Sequence, residues 1–395
     1  MKILIVANGF TGATLPLANK LSQEGNKVKC FYFVRRGSTC MESLDFDNDK
    51  QTSSCSVVTI SKTNKLYQYL DKEVDVSLMP VWQRRLRMEK LLVGHVFNLL
   101  NSLALKNYID QIIAEKPDVV NLIVHTKLEV SIASALEKAS IPFTITFHEV
   151  LKSLSKKKEL KEEVINALRF KCPIICHSEK TAGDLLELAS NSQKLRHHIH
   201  IIHFGTFDSY LSYGLGERVS NQPSKYLLYL GHVHPYKGLK YLYEAVQQIG
   251  EELNGYKIVV AGNGFDASLS DMAKDKRFVV INRFIGNAEL VGLIRGCDAI
   301  ICPYTAASQS GLFQTGLVFH KPIIATKVGA FEEVVQDGEN GILCEPSDAS
   351  SLANSIKRFL NTSIGEKLSV PKMLSWEQIT DNYLALYKSM IERAR

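Results

Sequence analysis

Lys237 stands in the run YLGHVHPYKGLKYLYEA, between a short apolar stretch and an amphipathic one, with Gly231, His232 and His234 just ahead of it. A lysine at the carboxyl end of a buried strand and the start of a helix would face any anion that the helix amides attract. Alone it reads equally well as an exposed lysine before a helix. Two further loops follow the same plan. AGNGFD supplies Gly262 and Gly264, which permit close backbone approach to a ligand, and CPYTAASQSGLFQTG carries Ser308, Gln309, Ser310 and Gly311 just before an apolar helix. Hydroxyls with the free amides of Ser310, Gly311 and Leu312 make a plausible diphosphate cradle. Three polar, flexible loops at three strand ends of one sheet point to a phosphate-bearing ligand more strongly than any one alone. In the first half, FTITFHEV places His148 and Glu149 directly after a buried strand. A substrate role and a structural role for His148 are both open there. GFTGA, after the first strand, lacks the full G-x-G-x-x-G, and no acidic residue closes the second strand to hold a ribose.

The elements that must position these residues alternate. KILIVA, at 2–6 and just beyond, is a continuous apolar run, the mark of a strand covered on both faces, and Ala13–Gly25 has helical spacing. VKCFYFV, VSLMPV (76–81), VVNLIV (119–124), FTITF (143–147) and PIICHS (173–178) read as further strands. Helices are expected at about 86–115, 128–139, 158–170 and 180–189. After IHIIHFG, the stretch YGLGERVSNQPS has no apolar period and reads as a linker. A second series follows: strands at 226–231, 257–262, 278–284, 299–304, 322–326 and 341–346, with helices at 238–250 and 287–296. The expected fold is α/β, two doubly wound parallel-sheet domains of the Rossmann kind facing across a cleft. Boundaries are placed at 1–205, a linker at 206–222, 223–372, and a terminal amphipathic helix at 373–395.

A chain of 395 residues exceeds one ordinary hydrophobic core, which supports the two-domain reading. The net charge of +6 is carried by the first half: residues 1–200 hold 28 Lys and Arg against 21 Asp and Glu, and residues 201–395 hold 19 against 20. The excess concentrates in Arg84, Arg85, Arg87 and Lys90 beside Trp82, and in Lys152, Lys156, Lys157, Lys158 and Lys161. Such clusters hold proteins on anionic bilayers or are simply solvated faces. Cys172 and Cys176 share strand parity and read as buried free thiols rather than zinc ligands, because no second ligand pair follows at finger spacing. The opening apolar run is too brief for a signal-peptide core, and no stretch approaches about 18 apolar residues. The expected location is cytoplasmic, with peripheral contact at the inner face of a membrane.

In order and spacing, GHVHPYKGL, AGNG, CPYTAASQSG and KPIIATKVGAFEEVVQDGENGILCEP resemble the GT-B-fold glycosyltransferases of family 4. FHEV, CHSEKT, HIIHFGTFDSY and the final helix with Trp376 fit as well, so the resemblance spans nearly the whole chain. It implies retaining transfer of a sugar from a nucleoside diphosphate, UDP- or GDP-linked, to a glycan or lipid-linked glycan in surface polysaccharide assembly. Neither a metal nor a further cofactor is implied, and nucleic acid is not an expected partner. Lys237 matches the family's diphosphate lysine, His148 the histidine near donor sugar and acceptor, Gly12 the glycine loop beneath the donor, and Phe284 with Ile285 the stretch that recognises the base. The terminal helix is implied to cross back onto the first domain. Two departures stand out. The arginine usual after the loop's first glycine is His232, with His234 where some relatives carry arginine. The family's pair of glutamates is absent: the second falls at Thr315, and the first at Ala307 or Ser308.

Three other readings compete. Asp45, Asp47 and Asp49 in LDFDNDK suggest a metal-dependent GT-A transferase, but they would explain only one of the two units. A nicotinamide dehydrogenase is disfavoured by the incomplete glycine fingerprint. A catalytically silent binding or scaffold protein that kept the fold is motivated by the missing glutamates.

Overall fold

The computed structural model describes the chain except for residues 37, 39, 46–55, 82–93, 153–157, 191, 308, 363, 365–367 and 395. The strands of the first unit are β1 (Lys2–Ala7), β2 (Lys27–Arg35), β3 (Cys40–Met41), β4 (Leu44–Asp45), β5 (Val58–Thr59), β6 (Val74–Val81), β7 (Val119–Ile123), β8 (Phe143–Phe147), β9 (Ile174–Cys176) and β10 (Ile199–Ile201). Those of the second are β11 (Tyr226–Leu230), β12 (Lys257–Ala261), β13 (Phe278–Ile281), β14 (Ala299–Cys302), β15 (Ile323–Thr326) and β16 (Gly341–Cys344). The first sheet runs β10-β9-β8-β7-β1-β2-β6-β5, parallel except for β5 on β6. The second runs β13-β12-β11-β14-β15-β16 and is parallel throughout.

Among the parallel strands, chain order reverses once in each sheet, at β1/β7 in the first and at β11/β14 in the second. Loops diverge there and leave a crevice at the carboxyl ends of the strands, the usual position for a ligand in an open α/β sheet. The core strands β1, β7, β8, β11 and β14 are almost entirely buried, which is why their sequences read as unbroken apolar runs. Cys172 and Cys176 both lie in the same buried layer of the first domain, and burial pushes each thiol up to about 12.

The structure departs locally from the sequence reading. The expected helix over 158–170 shortens to Glu162–Ala167, and β5 and the β3–β4 hairpin are additional. The segment 206–222 contains a 3-10 helix, Asp208–Tyr213, in which Ser209 and Tyr210 are buried. It lacks an apolar period because both domains, not one sheet, cover it. The Trp82–Lys90 cluster lies outside the described residues, as do Lys156 and Lys157.

The Trp376–Ala394 helix returns to the first domain, where Trp376, Ile379, Tyr383 and Tyr387 join the core of β1, β2 and the Thr11–Gln23 helix. The Trp376 indole donates from Nε1 to the Thr206 carbonyl at 3.0 Å. Gly205 is required opposite it, since a Cβ there would come within 2.5 Å of the indole. Trp376→Ala removes this packing and strands a buried carbonyl. The expected loss is about 3–5 kcal/mol of first-domain stability, read from urea unfolding followed by circular dichroism; a loss below about 1 kcal/mol would mean that the helix is only draped on the surface.

Candidate active site in the interdomain cleft

On the second domain, the β11 loop ends in the 3-10 turn Pro235–Lys237, closed by Gly238 in the left-handed region. The turn aims Lys237 inward. Its Nζ lies 3.7 Å from the centroid of the Tyr304 ring. No carboxylate among the described residues pairs with it, and desolvation draws its pKa below the usual lysine value. Tyr304, fully buried after β14, is also hydrogen-bonded by the Ser310 side chain. One aromatic ring therefore joins the lysine to the start of the Gly311–Val318 helix. Ser310 is that helix's N-cap residue and makes no side-chain cap bond. A cation and helix-start amides at one switch point suit a diphosphate.

The remaining residues singled out in this domain take several positions. His232 and His234 are exposed; His232 Nδ1 lies 3.4 Å from the Asn263 amide oxygen, and His234 tilts against Tyr236 at 4.8 Å. Gly262 and Gly264 have φ of +143° and +141°, and a Cβ on either would strike the backbone of Gly231 or Val233. The close approach these glycines allow is thus loop to loop. Phe284 is 64% exposed beyond β13, with Ile285 half-buried beside it. Thr315 is buried, and its hydroxyl donates to the Gly311 carbonyl at 2.8 Å. Nearby, the Gln309 Nε2 and Gln314 Oε1 atoms are buried without partners. Ser308 lies outside the described residues.

On the first domain, the loop after β1 places Phe10 at φ +61°, a left-handed conformation, as the N-cap of the Thr11–Gln23 helix. The Glu42 carboxylate, from the β3–β4 hairpin, accepts from the amides of Phe10 at 2.8 Å and Gly12 at 3.3 Å. It occupies this helix start with the chain's own anion. Phe10 then stacks on His148, with ring centroids 3.7 Å apart. His148 is buried, its Nε2 has no partner, and burial, reinforced by His177, His125 and Lys161, holds its pKa well below the usual histidine value. The ring is therefore neutral near pH 7 and is covered by Phe10. Glu149, which pairs with Lys161 at 3.1 Å, acts electrostatically on Lys237 and Tyr236 from across the cleft.

Phe207, in the crossover between domains, closes the gap. A Cβ on Gly12 would come within 2.7 Å of its ring, and a Cβ on Gly311 within 2.5 Å. The Phe207 amide donates to the Gln314 carbonyl at 3.4 Å. Both glycines face one ring from opposite domains. Away from the cleft, Glu333 of the second domain accepts from the amides of Glu179 and Lys180 at 2.8 and 2.9 Å, at the start of the first domain's Glu179–Leu188 helix. Asn287 donates to Asp45 at 2.8 Å. Asp45 is thus committed to Asn287 and to Lys65; Asp47 and Asp49 lie outside the described residues.

Tyr304, Phe207, Gln314 and Glu42 were not singled out from sequence. An aromatic residue inside a polar crossover was the available signal for Phe207.

Two doubly wound parallel sheets whose switch points open onto one cleft, with a terminal helix returning to the first domain, define the GT-B fold. The solved structure of Anabaena HepE in complex with UDP and glucose aligns with 100% of this chain and 97% of its own, with a TM-score of 0.58 and 15% identity. Residues 224–362 match the family described as glycosyl transferases group 1. An uncharacterized glycosyltransferase of Methanocaldococcus jannaschii is 27% identical over 178 residues, 41% of this chain and 48% of that protein. The GDP-mannose:cellobiosyl-diphosphopolyprenol alpha-mannosyltransferase of Komagataeibacter xylinus is 23% identical over 196 residues, 45% of this chain and 49% of that protein. The aligned region spans about half the length of these curated relatives.

Two outcomes test this geometry. Gly311→Ala forces a methyl against Phe207 and is expected to cost about 1–3 kcal/mol of stability; in a Phe207→Ala background the same change should cost at least about 1 kcal/mol less, a coupling read by urea denaturation. Strict additivity would remove the wedge. The second concerns His177, whose Nδ1 donates to the Ile202 carbonyl at 2.6 Å and whose pKa burial pulls down to about 4. Below its ordinary value of 6.5, the unfolded chain takes up a proton that the folded ring refuses, so stability falls as pH drops toward 4. Relative to the native chain, His177→Phe should flatten this decline by about 1.4 kcal/mol per pH unit across that window. Unfolding curves at pH 7 and pH 5 check it, and an unchanged slope would show that the imidazole titrates normally.

Proposed function

We propose that the protein is a retaining glycosyltransferase that moves a sugar from a nucleoside-diphosphate sugar to a glycan or lipid-linked glycan acceptor. The observation that carries the reading is Lys237, a desolvated ammonium with no carboxylate partner among the described residues, joined through Tyr304 to the Ser310 helix start. The similarity to the diphosphopolyprenol-dependent mannosyltransferase of K. xylinus supports a lipid-linked acceptor, and the likeness to UDP-bound HepE supports a nucleotide at the second domain. Surface polysaccharide assembly at the inner face of a membrane suits such an acceptor. None of the described helices is long and apolar enough to cross a membrane.

In this reading, Lys237 and the amides of Ser310, Gly311 and Leu312 receive the charge that develops on the diphosphate as the glycosidic bond loosens. His232 and His234 stand at the rim and add charge only when protonated. Phe284 and Ile285 flank the base, while Gly262 and Gly264 keep the two loops close enough to line one pocket. The acceptor hydroxyl attacks from the face the leaving group departs, and a donor phosphate oxygen takes its proton. Neutral His148 offers Nε2 to a sugar hydroxyl once the Phe10 ring swings aside. Gln309 and Gln314 stand closest in sequence to the positions of the missing glutamates and bring uncharged amides to that end of the site. The reading needs no metal, so transfer is expected to persist in EDTA.

Thermal-shift screening against UDP-, GDP- and other nucleotide sugars identifies the donor, since a ligand at a hundred times its dissociation constant adds about 2.7 kcal/mol. With that donor, Lys237→Ala is expected to lower turnover about a hundredfold, about 3 kcal/mol of transition-state stabilisation. Near-normal turnover would remove Lys237 from the reaction. Tight nucleotide binding with no transfer to any glycan or lipid-linked acceptor would instead favour a silent binding protein.

A further inference from the structure

Two residues of the first domain hold a backbone conformation that only glycine adopts freely, and they are bonded to each other. Phe10 has φ +61° and Glu42 has φ +47°. The Glu42 carboxylate accepts from the Phe10 and Gly12 amides, and the Phe10 ring lies on His148, whose buried Nε2 has no partner. Left-handed residues of this kind persist only where their surroundings impose them, and they gather at switches. Here the β3–β4 hairpin imposes them. Thr11 Oγ1 donates to the Met41 carbonyl at 3.0 Å and accepts from the Ser43 amide at 3.1 Å. The Ser43 hydroxyl and carbonyl accept in turn from the hydroxyls of Ser209 at 2.9 Å and Tyr213 at 3.2 Å, both in the crossover between domains. Glu42 itself is exposed as a residue, with its carboxylate end turned in to the helix amides.

We propose that Glu42 is an internal stand-in for phosphate, locking Phe10 over His148 until the diphosphate of a nucleotide ligand displaces it and uncovers the imidazole. The inference rests on the donor reading above and adds the regulation of that site. A Cβ built on Gly12 and one built on Gly311 meet the same Phe207 ring at 2.7 and 2.5 Å, so a diphosphate at the Gly311 helix start stands close to the amides that Glu42 occupies. Like charges repel there, and a diphosphate offers those amides more negative charge than one carboxylate does. Once Glu42 leaves, the Phe10 amide is free to turn, while the Phe10 carbonyl stays bonded to the Ala13 and Thr14 amides at 3.2 and 3.0 Å. Gly9, at φ +86° just before it, absorbs the rotation. The acceptor side therefore opens only in a chain that already carries its nucleotide.

Diethylpyrocarbonate, which modifies accessible neutral imidazoles, tests the lock on the full-length chain, with the His148 peptide read by mass spectrometry. His148 of the native chain should be protected, and saturating UDP or GDP, whichever raises the melting temperature, should speed its modification at least about tenfold. Glu42→Ala should react at the faster rate without nucleotide. It should also bind that nucleotide about tenfold more tightly, because no lock opposes binding. Phe10→Ala should likewise react fast without nucleotide. His177, stacked on Phe204 at 3.9 Å and bonded to the Ile202 carbonyl, reports the fold: it stays unreactive unless the chain opens generally. If Glu42→Ala exposes His177, Glu42→Gln takes its place, keeping the shape without the charge. Either variant reacting at His148 no faster than the native chain overturns the lock. So does weaker nucleotide binding by Glu42→Ala, since Glu42 would then only support the helix. A native chain stabilised by nucleotide but still protected at His148 overturns the coupling and leaves the donor reading intact. No stabilisation by any nucleotide sinks the donor reading and the coupling together, and the two variants still decide whether Glu42 holds Phe10 on His148.

Discussion

The cleft depends on one ring. Phe207 lies between Gly12 and Gly311, each the second or first residue of a helix at the carboxyl end of its own sheet, and neither position has room for a Cβ. This contact sets how near the two helix starts stand to each other. Without it, a cation on the second domain and a histidine on the first would belong to separate surfaces. Glu333 at the Glu179–Leu188 helix and Asn287 on Asp45 add polar ties at two other points of the domain boundary. One apolar wedge and these hydrogen bonds thus tie the two domains together around the cleft.

Electrostatics follows from that spacing. The first domain satisfies its own helix start with Glu42, while the second leaves a lysine desolvated against Tyr304 with no carboxylate to neutralise it among the described residues. An anion arriving in the cleft thus finds its strongest attraction on the second domain. The His148 imidazole is itself uncharged and lined by rings: Phe10, Phe204 and His177 all pack on it. One lip suits phosphate and the other suits a polar but uncharged partner.

Most of the framework was legible in the sequence because parallel strands buried on both faces are written as unbroken apolar runs. VVNLI and FTITF appear in the structure nearly residue for residue. Two-residue strands such as Val58–Thr59 carry no period and could not be read that way. Within the site, Lys237 and Ser310 were legible because a residue between a strand and a helix is positioned by local chain geometry. Phe207 and Glu42 were not, since each acquires its role from partners on other elements. Gly262 and Gly264 fall between these cases: their need for a missing side chain was visible, but the backbone they approach is that of Gly231 and Val233.

The return of the Trp376–Ala394 helix has a consequence for biosynthesis. Thr206 and Trp376, joined by a hydrogen bond, are 170 residues apart. As the polypeptide leaves the ribosome, the leading domain must wait for the whole trailing domain to emerge before its aromatic seal arrives. Until then, the apolar surface awaiting Tyr383 and Tyr387 is open to chaperones or to aggregation, while the trailing domain can close over residues nearer in the chain. The part made first is thus the part finished last.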